Sequence, residues 1–385
     1  MNNRPLRVMM LGLRGFPNIQ GGVETHTEHL CPLLVVLGCD VTVLTRSLYK
    51  PAAACSPWKG VKFVSLWTPK SKGLEAIVHS FLGVIYAAVK RPDILHIQAI
   101  GPALMTPLAR LLGLRVIVTH HGPDYDRQKW GAFARLVLQL GERWGMRYSN
   151  GRIVISKVIA DLVLTKHGVT AEQIPNGVDL PLFPNSIEAL NKFKLIPGHY
   201  VLLVSRMVPE KRHLDLIAAF KLANVPNWKL VLVGDADHPD AYQREVIEKA
   251  IEAGAVMTGI QQGLALQELY AHAGLFVLPS SHEGLPIVLL EALSFGLPVL
   301  ASDIPANLEV GLASAHYFPL GNIEVLANSI KQWSIKGLTR SARESTRIWV
   351  TERYNWQIIA EKTYKLYLSR LSKATFFSVK KKLSQ

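Results

Sequence analysis

Ser280-Ser281-His282-Glu283-Gly284-Leu285-Pro286, followed by Glu291-Ala292-Leu293 and Phe295-Gly296-Leu297-Pro298, sets two carboxylates eight positions apart just behind an apolar run, Phe276-Val277-Leu278-Pro279. The run reads as the end of a buried parallel strand, and the residues from Ile287 to Phe295 carry helical periodicity. Glu283 therefore falls in a strand-to-helix loop and Glu291 about two turns into the helix. Ligands of open α/β sheets bind outside the carboxyl ends of the strands, so both carboxylates face the ligand edge. A loop carboxylate there can accept hydrogen bonds from sugar hydroxyls. One on the inner face of the helix can accept two from a ribose diol, and the helix N-terminus between them favours an anion.

Outward from this stretch, strand-like runs alternate with helical ones. Arg7–Leu11, Asp40–Leu44, Val61–Leu66, Ile94–Gln98, Val116–His120 and Gly151–Ile155 form a first series. After Pro181-Leu182-Phe183-Pro184 a second series follows at Tyr200–Ser205, Lys229–Val233, Ala255–Thr258, Leu275–Leu278 and Pro298–Ala301. Such alternation predicts parallel βαβ units, and a chain of 385 residues is long for one core and comfortable for two. The expected class is α/β with two Rossmann-like domains, residues 1–181 and 182–354, and a helix over 355–371 ahead of a basic tail at 372–385. No short-period repeat or low-complexity tract interrupts them.

With 49% apolar and 19% charged residues the composition is that of a globular chain. No apolar run reaches the ~18 residues of a spanning helix; the nearest, Ala76–Val89, contains His79 and Ser80 and ends at Lys90-Arg91. Cys31, Cys39 and Cys55 are odd in number and lack metal spacing, which together with an N-terminus that runs straight into the first strand predicts a reduced, cytoplasmic setting. The net charge of +14 is uneven: residues 1–180 hold 21 Lys and Arg against 11 Asp and Glu, while 181–385 hold 22 against 18. No nucleic-acid motif accompanies the charge. It fits attraction of the first half to an anionic membrane surface, or a generally basic soluble enzyme.

Four further clusters carry candidate chemistry. Gly12-Leu13-Arg14-Gly15 and Gln20-Gly21-Gly22-Val23-Glu24 follow the first strand ahead of a helix expected to open with Thr25, and adjacent glycines at a helix N-terminus let backbone N–H groups approach a phosphate or a sugar. Their order differs from G-x-G-x-x-G, which weakens a nicotinamide-cofactor reading. Ser205-Arg206-Met207-Val208-Pro209-Glu210-Lys211 supplies two cations able to stabilise charge developing on a departing phosphate. His120 and His121 end the fifth strand, with no third ligand at metal spacing nearby. The loop holding Asp124, Asp126, Arg127, Lys129 and Trp130 sits at the same rim, where it can choose a ligand or cap a helix.

The spacing of Glu283 and Glu291, flanked by Pro-Ser, Glu-Gly-Leu-Pro and Gly-Leu-Pro-Val, resembles the Glu-x7-Glu signature of retaining glycosyltransferases with the GT-B fold, and the resemblance runs from about Met9 to Leu368. It implies two Rossmann-like domains with a cleft between them, an N-terminal acceptor domain, a C-terminal donor domain, and a last helix that crosses back to the first domain. It implies transfer of a sugar from a nucleotide-diphosphate sugar, with retention, to a saccharide or lipid-linked saccharide in bacterial cell-surface polysaccharide or lipopolysaccharide synthesis, by a cytoplasmic enzyme peripheral on the inner face of the membrane. No cofactor, metal or nucleic acid is expected.

Glu283, with His121, Arg206 and Lys211, would form the reaction centre. Gly21, Gly22, Gly284, Leu285 and Glu291 would complete the donor site, with Glu291 on the ribose; Asp124, Asp126 and Arg127 would face the acceptor. Arg206 and Lys211 resemble a phosphate-binding pair in a Gly-Arg…Lys-Gly pattern, from which this chain departs with Ser205 and Arg212. Asn176-Gly177-Val178-Asp179 resembles the turn before the crossover to the second domain. Asp235-Ala236-Asp237 could hold a cation, but the family places a loop there that binds none. An epimerase or phosphorylase on the same architecture, or a non-catalytic membrane-associated partner in polysaccharide assembly, are the alternatives.

Overall fold

Val116–His120, Ile94–Gln98 and Tyr200–Val204 are buried at every residue, the pattern of strands covered on both faces by helices. The computed structural model describes residues 4–49, 57–71, 74–126, 130–236, 240–337 and 339–382, with side chains described as far as Leu371. The chain forms two units, Met1–Asn176 with Trp356–Gln385, and Gly177–Asn355.

In the first unit the strands are β1 (Leu6–Leu11), β2 (Cys39–Arg46), β3 (Lys62–Leu66), β4 (Ile94–Gln98), β5 (Val116–His120), β6 (Gly151–Val154) and β7 (Glu172–Gln173), in the order β3-β2-β1-β4-β5-β6-β7. All the pairs are parallel, with Val8 of β1 set between Val41 and Ile94. The second unit holds β8 (Tyr200–Val204), β9 (Lys229–Val233), β10 (Val256–Gly259), β11 (Leu275–Leu278), β12 (Val299–Ser302) and β13 (Tyr317–Phe318), in the order β10-β9-β8-β11-β12-β13. Each sheet reverses its winding once, at β1/β4 and at β8/β11, and those points open crevices at the carboxyl edge. The edge strands β7 and β13 carry two residues each, too few for any periodicity to mark them.

Three features differ from the sequence reading. The division falls after Asn176 rather than at 181, because Val178 donates its N–H to the Tyr354 carbonyl at 2.7 Å and so joins the second unit. The C-terminal helix runs Trp356–Lys382, past 371, with no Gly or Pro to stop it. Its Trp356, Ile359, Ala360, Leu366 and Tyr367 lie in the first unit's core with Val8, Met10, Leu30, Leu34 and Ile117. The helix expected to open at Thr25 begins at Gly22. Cys31 and Cys39 are buried free thiols, and burial pushes the Cys39 thiol up to about 12; Cys55 lies outside the described residues.

The helix Leu74–Lys90 buries His79, Ser80, Gly83, Val84 and Ala87. Its other side turns Leu74, Ile77, Phe81, Ile85 and Val89 to solvent in a row spaced at three and four residues. Among the described residues no helix is long and apolar enough to cross a membrane.

Candidate active site

In the second unit the loops after β8 and β11 meet at the winding reversal. Ser281 donates its backbone N–H to the Glu210 carbonyl at 2.8 Å, tying one loop to the other. Beside this link Lys211 Nζ lies 2.5 Å from Glu283 Oε1, with both side chains mostly buried. Two residues that are 72 positions apart in the chain therefore form one charge-assisted pair, and an ammonium group keeps further N–H donors for another anion. Arg206 starts the same loop, and the N–H of Met207 anchors it to the Asp235 carbonyl at 3.0 Å.

The two departures from the Gly-Arg…Lys-Gly pattern are accommodated by neighbours. Ser205 is buried, its hydroxyl 3.0 Å from Nε2 of His213, so the side chain absent from a glycine is housed in the core. Burial, and then the charge of Lys211, hold His213 down to about 3, so it is a neutral partner. Arg212 takes φ 51° and ψ 44°, the left-handed region that favours glycine. Its guanidinium is held 2.6 Å from Asp215 in compensation.

Glu291 lies in the helix Ile287–Ser294. It is the fifth residue, little more than one turn from the start and nearer the sheet edge than the two turns expected. Its Oε2 accepts a 2.9 Å bond from Tyr270, a partner not evident from sequence. Tyr270 is buried, its ring stacks on Phe295 at 5.5 Å, and burial followed by the Glu291 charge raises its phenol well above the usual range, so it remains a donor. Leu285 is buried and Gly284 half-buried beside Glu283.

In the first unit the glycine loop is braced by a pair the sequence reading missed. Arg14 Nε lies 3.0 Å from Glu24 Oε1, and the same carboxylate accepts the Arg14 backbone N–H at 3.1 Å. Burial, which opposes ionisation, is overcome by Arg14, so the Glu24 carboxyl is held below its usual range. A Cβ on Gly21 would collide with the Glu24 carboxylate and the Arg14 guanidinium, whereas one on Gly22 would meet nothing within 4 Å. The two glycines thus have different uses: Gly21 admits the brace, and Gly22 leaves the start of the helix open.

His120 and His121 end β5 with different surroundings. His120 is fully buried, 2.9 Å from Glu142, and accepts the Gly122 N–H at 3.0 Å. Glu142 also accepts from Tyr125 at 3.2 Å and Lys166 at 2.6 Å; against the cost of burial, His120 and Lys166 hold its carboxyl down to about 2. His121 is half-buried, 2.8 Å from Gln98 Oε1, with the His26 ring edge-on at 5.0 Å. Burial, with His96 and His120 adding to it, holds His121 down to about 3, so it is neutral near pH 7. Asp124 and Asp126 form a 3-10 turn about the buried Tyr125. Arg127, Lys129 and Asp237 lie outside the described residues. Asn176, read as turn chemistry, is buried with its carbonyl oxygen 3.0 Å from His26 Nδ1. Among the described residues no cluster of His, Cys, Asp and Glu is arranged to hold a metal ion.

Two parallel Rossmann-like sheets, each with one winding reversal, are the architecture of the GT-B fold. A family model described as Glycosyl transferases group 1 matches residues 163–363, and one described as Glycosyltransferase Family 4 matches residues 20–181. The chain belongs to the group 1 glycosyltransferases. It is 27% identical to sulfoquinovosyl transferase SQD2 of Arabidopsis thaliana, over 76% of this chain and 59% of that protein. It is 24% identical to glycogen synthase of Mycobacterium tuberculosis, over 94% of this chain and 95% of that one. Sucrose-phosphate synthase from Thermosynechococcus elongatus superimposes with a TM-score of 0.80 at 21% identity, over 95% of this chain and 99% of that one. Anabaena HepE in complex with UDP and glucose does so at 0.77 and 17%, over 94% and 100%.

The two glycines separate by experiment. Gly21→Ala is expected to lower unfolding stability by roughly 1–3 kcal/mol, the usual cost of overpacking. Gly22→Ala is expected to leave thermal unfolding unchanged and to raise a substrate KM roughly tenfold, as lost ground-state binding does. Equal melting temperatures for the two variants would contradict the distinction.

Proposed function

We propose that the protein moves a sugar from a nucleotide-diphosphate sugar to a hydroxyl of a saccharide or lipid-linked saccharide, keeping the anomeric configuration. The observation that carries this reading is the convergence of Arg206, Lys211 and Glu283 on the β8/β11 reversal. There Arg206 and Lys211 bind the diphosphate and stabilise the charge that grows on it, and Glu283 holds the sugar hydroxyls while fixing Lys211. Glu291, oriented by Tyr270, receives the ribose. Gly284 and Leu285 line the sugar side of the loop. His121 and the Gly21-Gly22 loop serve the donor from the first unit, and Asp124, Asp126 and Arg127 serve the acceptor.

The bond from the anomeric carbon to the phosphate oxygen breaks as the acceptor oxygen bonds to the same face, and the departing phosphate oxygen takes the acceptor proton. The two cations make a divalent ion unnecessary in this scheme. The complex of Anabaena HepE with UDP and glucose supports the donor class. Relatives named for polysaccharide synthesis, such as the amylovoran biosynthesis glycosyltransferase AmsD of Erwinia amylovora, support a role at the bacterial cell surface.

Lys211→Ala and Glu283→Ala are each expected to lower turnover by ~100-fold or more without unfolding the protein, since one lost transition-state contact costs ~2.7–4 kcal/mol. Because the two form one pair, the double variant should lose much less than the product of the single losses. Activity in all of these assays should survive excess EDTA. Multiplicative losses, or rescue by magnesium or manganese after EDTA, would contradict the pairing or the metal-free scheme respectively.

The acceptor side is proposed to dock on an anionic membrane where a lipid-linked acceptor presents its sugar. The exposed row Leu74, Ile77, Phe81, Ile85 and Val89 is flanked by Lys70, Lys90 and Arg91, and the half of the chain that holds it carries most of the net charge of +14; Lys72 lies outside the described residues. At ~1 kcal/mol per basic residue near such a surface, three or four suffice for reversible docking. Co-sedimentation with phosphatidylglycerol vesicles at low salt is expected to exceed that with phosphatidylcholine and to fall in high salt. Phe81→Glu should weaken it further, and equal or absent binding to both vesicles would favour a soluble acceptor.

A further inference from the structure

A polar chain runs through the interior of the first unit. His121 Nε2 lies 2.8 Å from Gln98 Oε1, the Gln98 amide nitrogen 3.3 Å from His96 Nε2 and 3.7 Å from Met10 Sδ, and His96 Nδ1 2.6 Å from the Tyr367 hydroxyl. Gln98, His96 and Tyr367 are fully buried. The chemistry of the groups fixes the direction of each bond. A thioether can only accept, so the side of the amide facing Met10 is its NH2, and the carbonyl oxygen faces His121. His121 then donates from Nε2, and Nδ1 carries the lone pair. The amide hydrogen and the Thr119 hydroxyl, 2.7 Å away, both address His96 Nε2; that nitrogen is bare, and Nδ1–H donates to Tyr367. A second contact line joins the same ends: Trp356 meets the His26 ring edge-on at 5.5 Å, and His26 meets His121.

We propose that Gln98 and Tyr367 are positioning residues for His121: the chain from the C-terminal helix locks the imidazole as its Nε2–H tautomer, presenting a bare Nδ1 that accepts a hydrogen bond from a sugar hydroxyl. This rests on the reading that His121 serves the donor sugar. The lock does two things a lone histidine does not do. It excludes the tautomer that would turn an N–H toward the sugar, and it makes the orientation of His121 depend on the docking of the C-terminal helix, through the bond between His96 and Tyr367, which are 271 positions apart. The titratable groups facing His121 are His26 from the helix Gly22–Val36, His96 from β4 and His120 from β5. All are imidazoles, so the described surroundings supply no carboxylate to charge the ring.

The test uses the full chain labelled with 15N-histidine. Long-range 1H–15N correlation spectra, recorded without donor, should show His121 neutral with the proton on Nε2 at pH 7 and still at pH 5.5. Gln98→Leu should lose the single tautomer. Gln98→Glu places a carboxylate at the acceptor position, which favours imidazolium, so His121 should charge by pH 5.5 and kcat should fall with pH over a range where the wild type stays flat. Tyr367→Phe keeps the packed ring and removes only the acceptor; kcat should fall roughly tenfold while the donor KM stays within about twofold. An Nδ1–H or cationic His121 in the wild type, or an Nε2–H tautomer that survives Gln98→Leu, would overturn the proposal. An inactive wild type with the tautomer intact would instead contradict the transferase reading.

Discussion

The ion pair between Lys211 and Glu283 joins the loop after β8 to the loop after β11 at the one reversal of the second sheet. A parallel sheet exposes its strand ends and helix starts along a single edge, and a reversal leaves no connection crossing the crevice there. Side chains from neighbouring loops can therefore meet only if something holds the loops together. Here a backbone bond from Ser281 to Glu210 does so, and the charge pair sits directly beside it. Isolated in so enclosed a place, either charge would be costly to bury. Paired, the two leave a site with one accepting and one donating end, which matches a sugar joined to a phosphate.

The first unit solves a different problem. Its central strands must be apolar on both faces, yet β4 and β5 carry His96, Gln98, Thr119 and His120 within that interior. Each of these is satisfied by another: His120 by Glu142, His96 by Thr119 and Tyr367, Gln98 by His121. Buried polar networks are tolerated only when complete, and this one is completed from the far end of the chain. The cost of burial is also what keeps His96 and His121 neutral near pH 7.

Much of the second unit's candidate site could be picked out in the sequence because charge stands out in an apolar setting. Arg206, Lys211, Glu283 and Glu291 follow short runs of Val, Leu and Phe, and strand ends can be counted from such runs. What could not be read was pairing across long separations. Nothing in the sequence joins Lys211 to Glu283, Tyr270 to Glu291 or Arg14 to Glu24, because each pair is made by elements whose placement depends on the sheet: two loops for the first, two helices for the second, a loop and a helix for the third. Ile-Leu-His-Ile-Gln reads as a strand with two polar interruptions, and periodicity is silent on where those side chains find partners. The positive φ of Arg212 was equally hidden, although its place in a pattern that otherwise has glycine was the available signal.

The charge pair at the β8/β11 reversal is proposed to serve a same-face transfer. The most direct measurement is the anomeric configuration of the first product, read by NMR after a screen of UDP-, GDP- and dTDP-sugars has found the donor. A linkage with the same anomeric configuration as the donor is expected; an inverted linkage formed by the wild-type protein would overturn the same-face scheme.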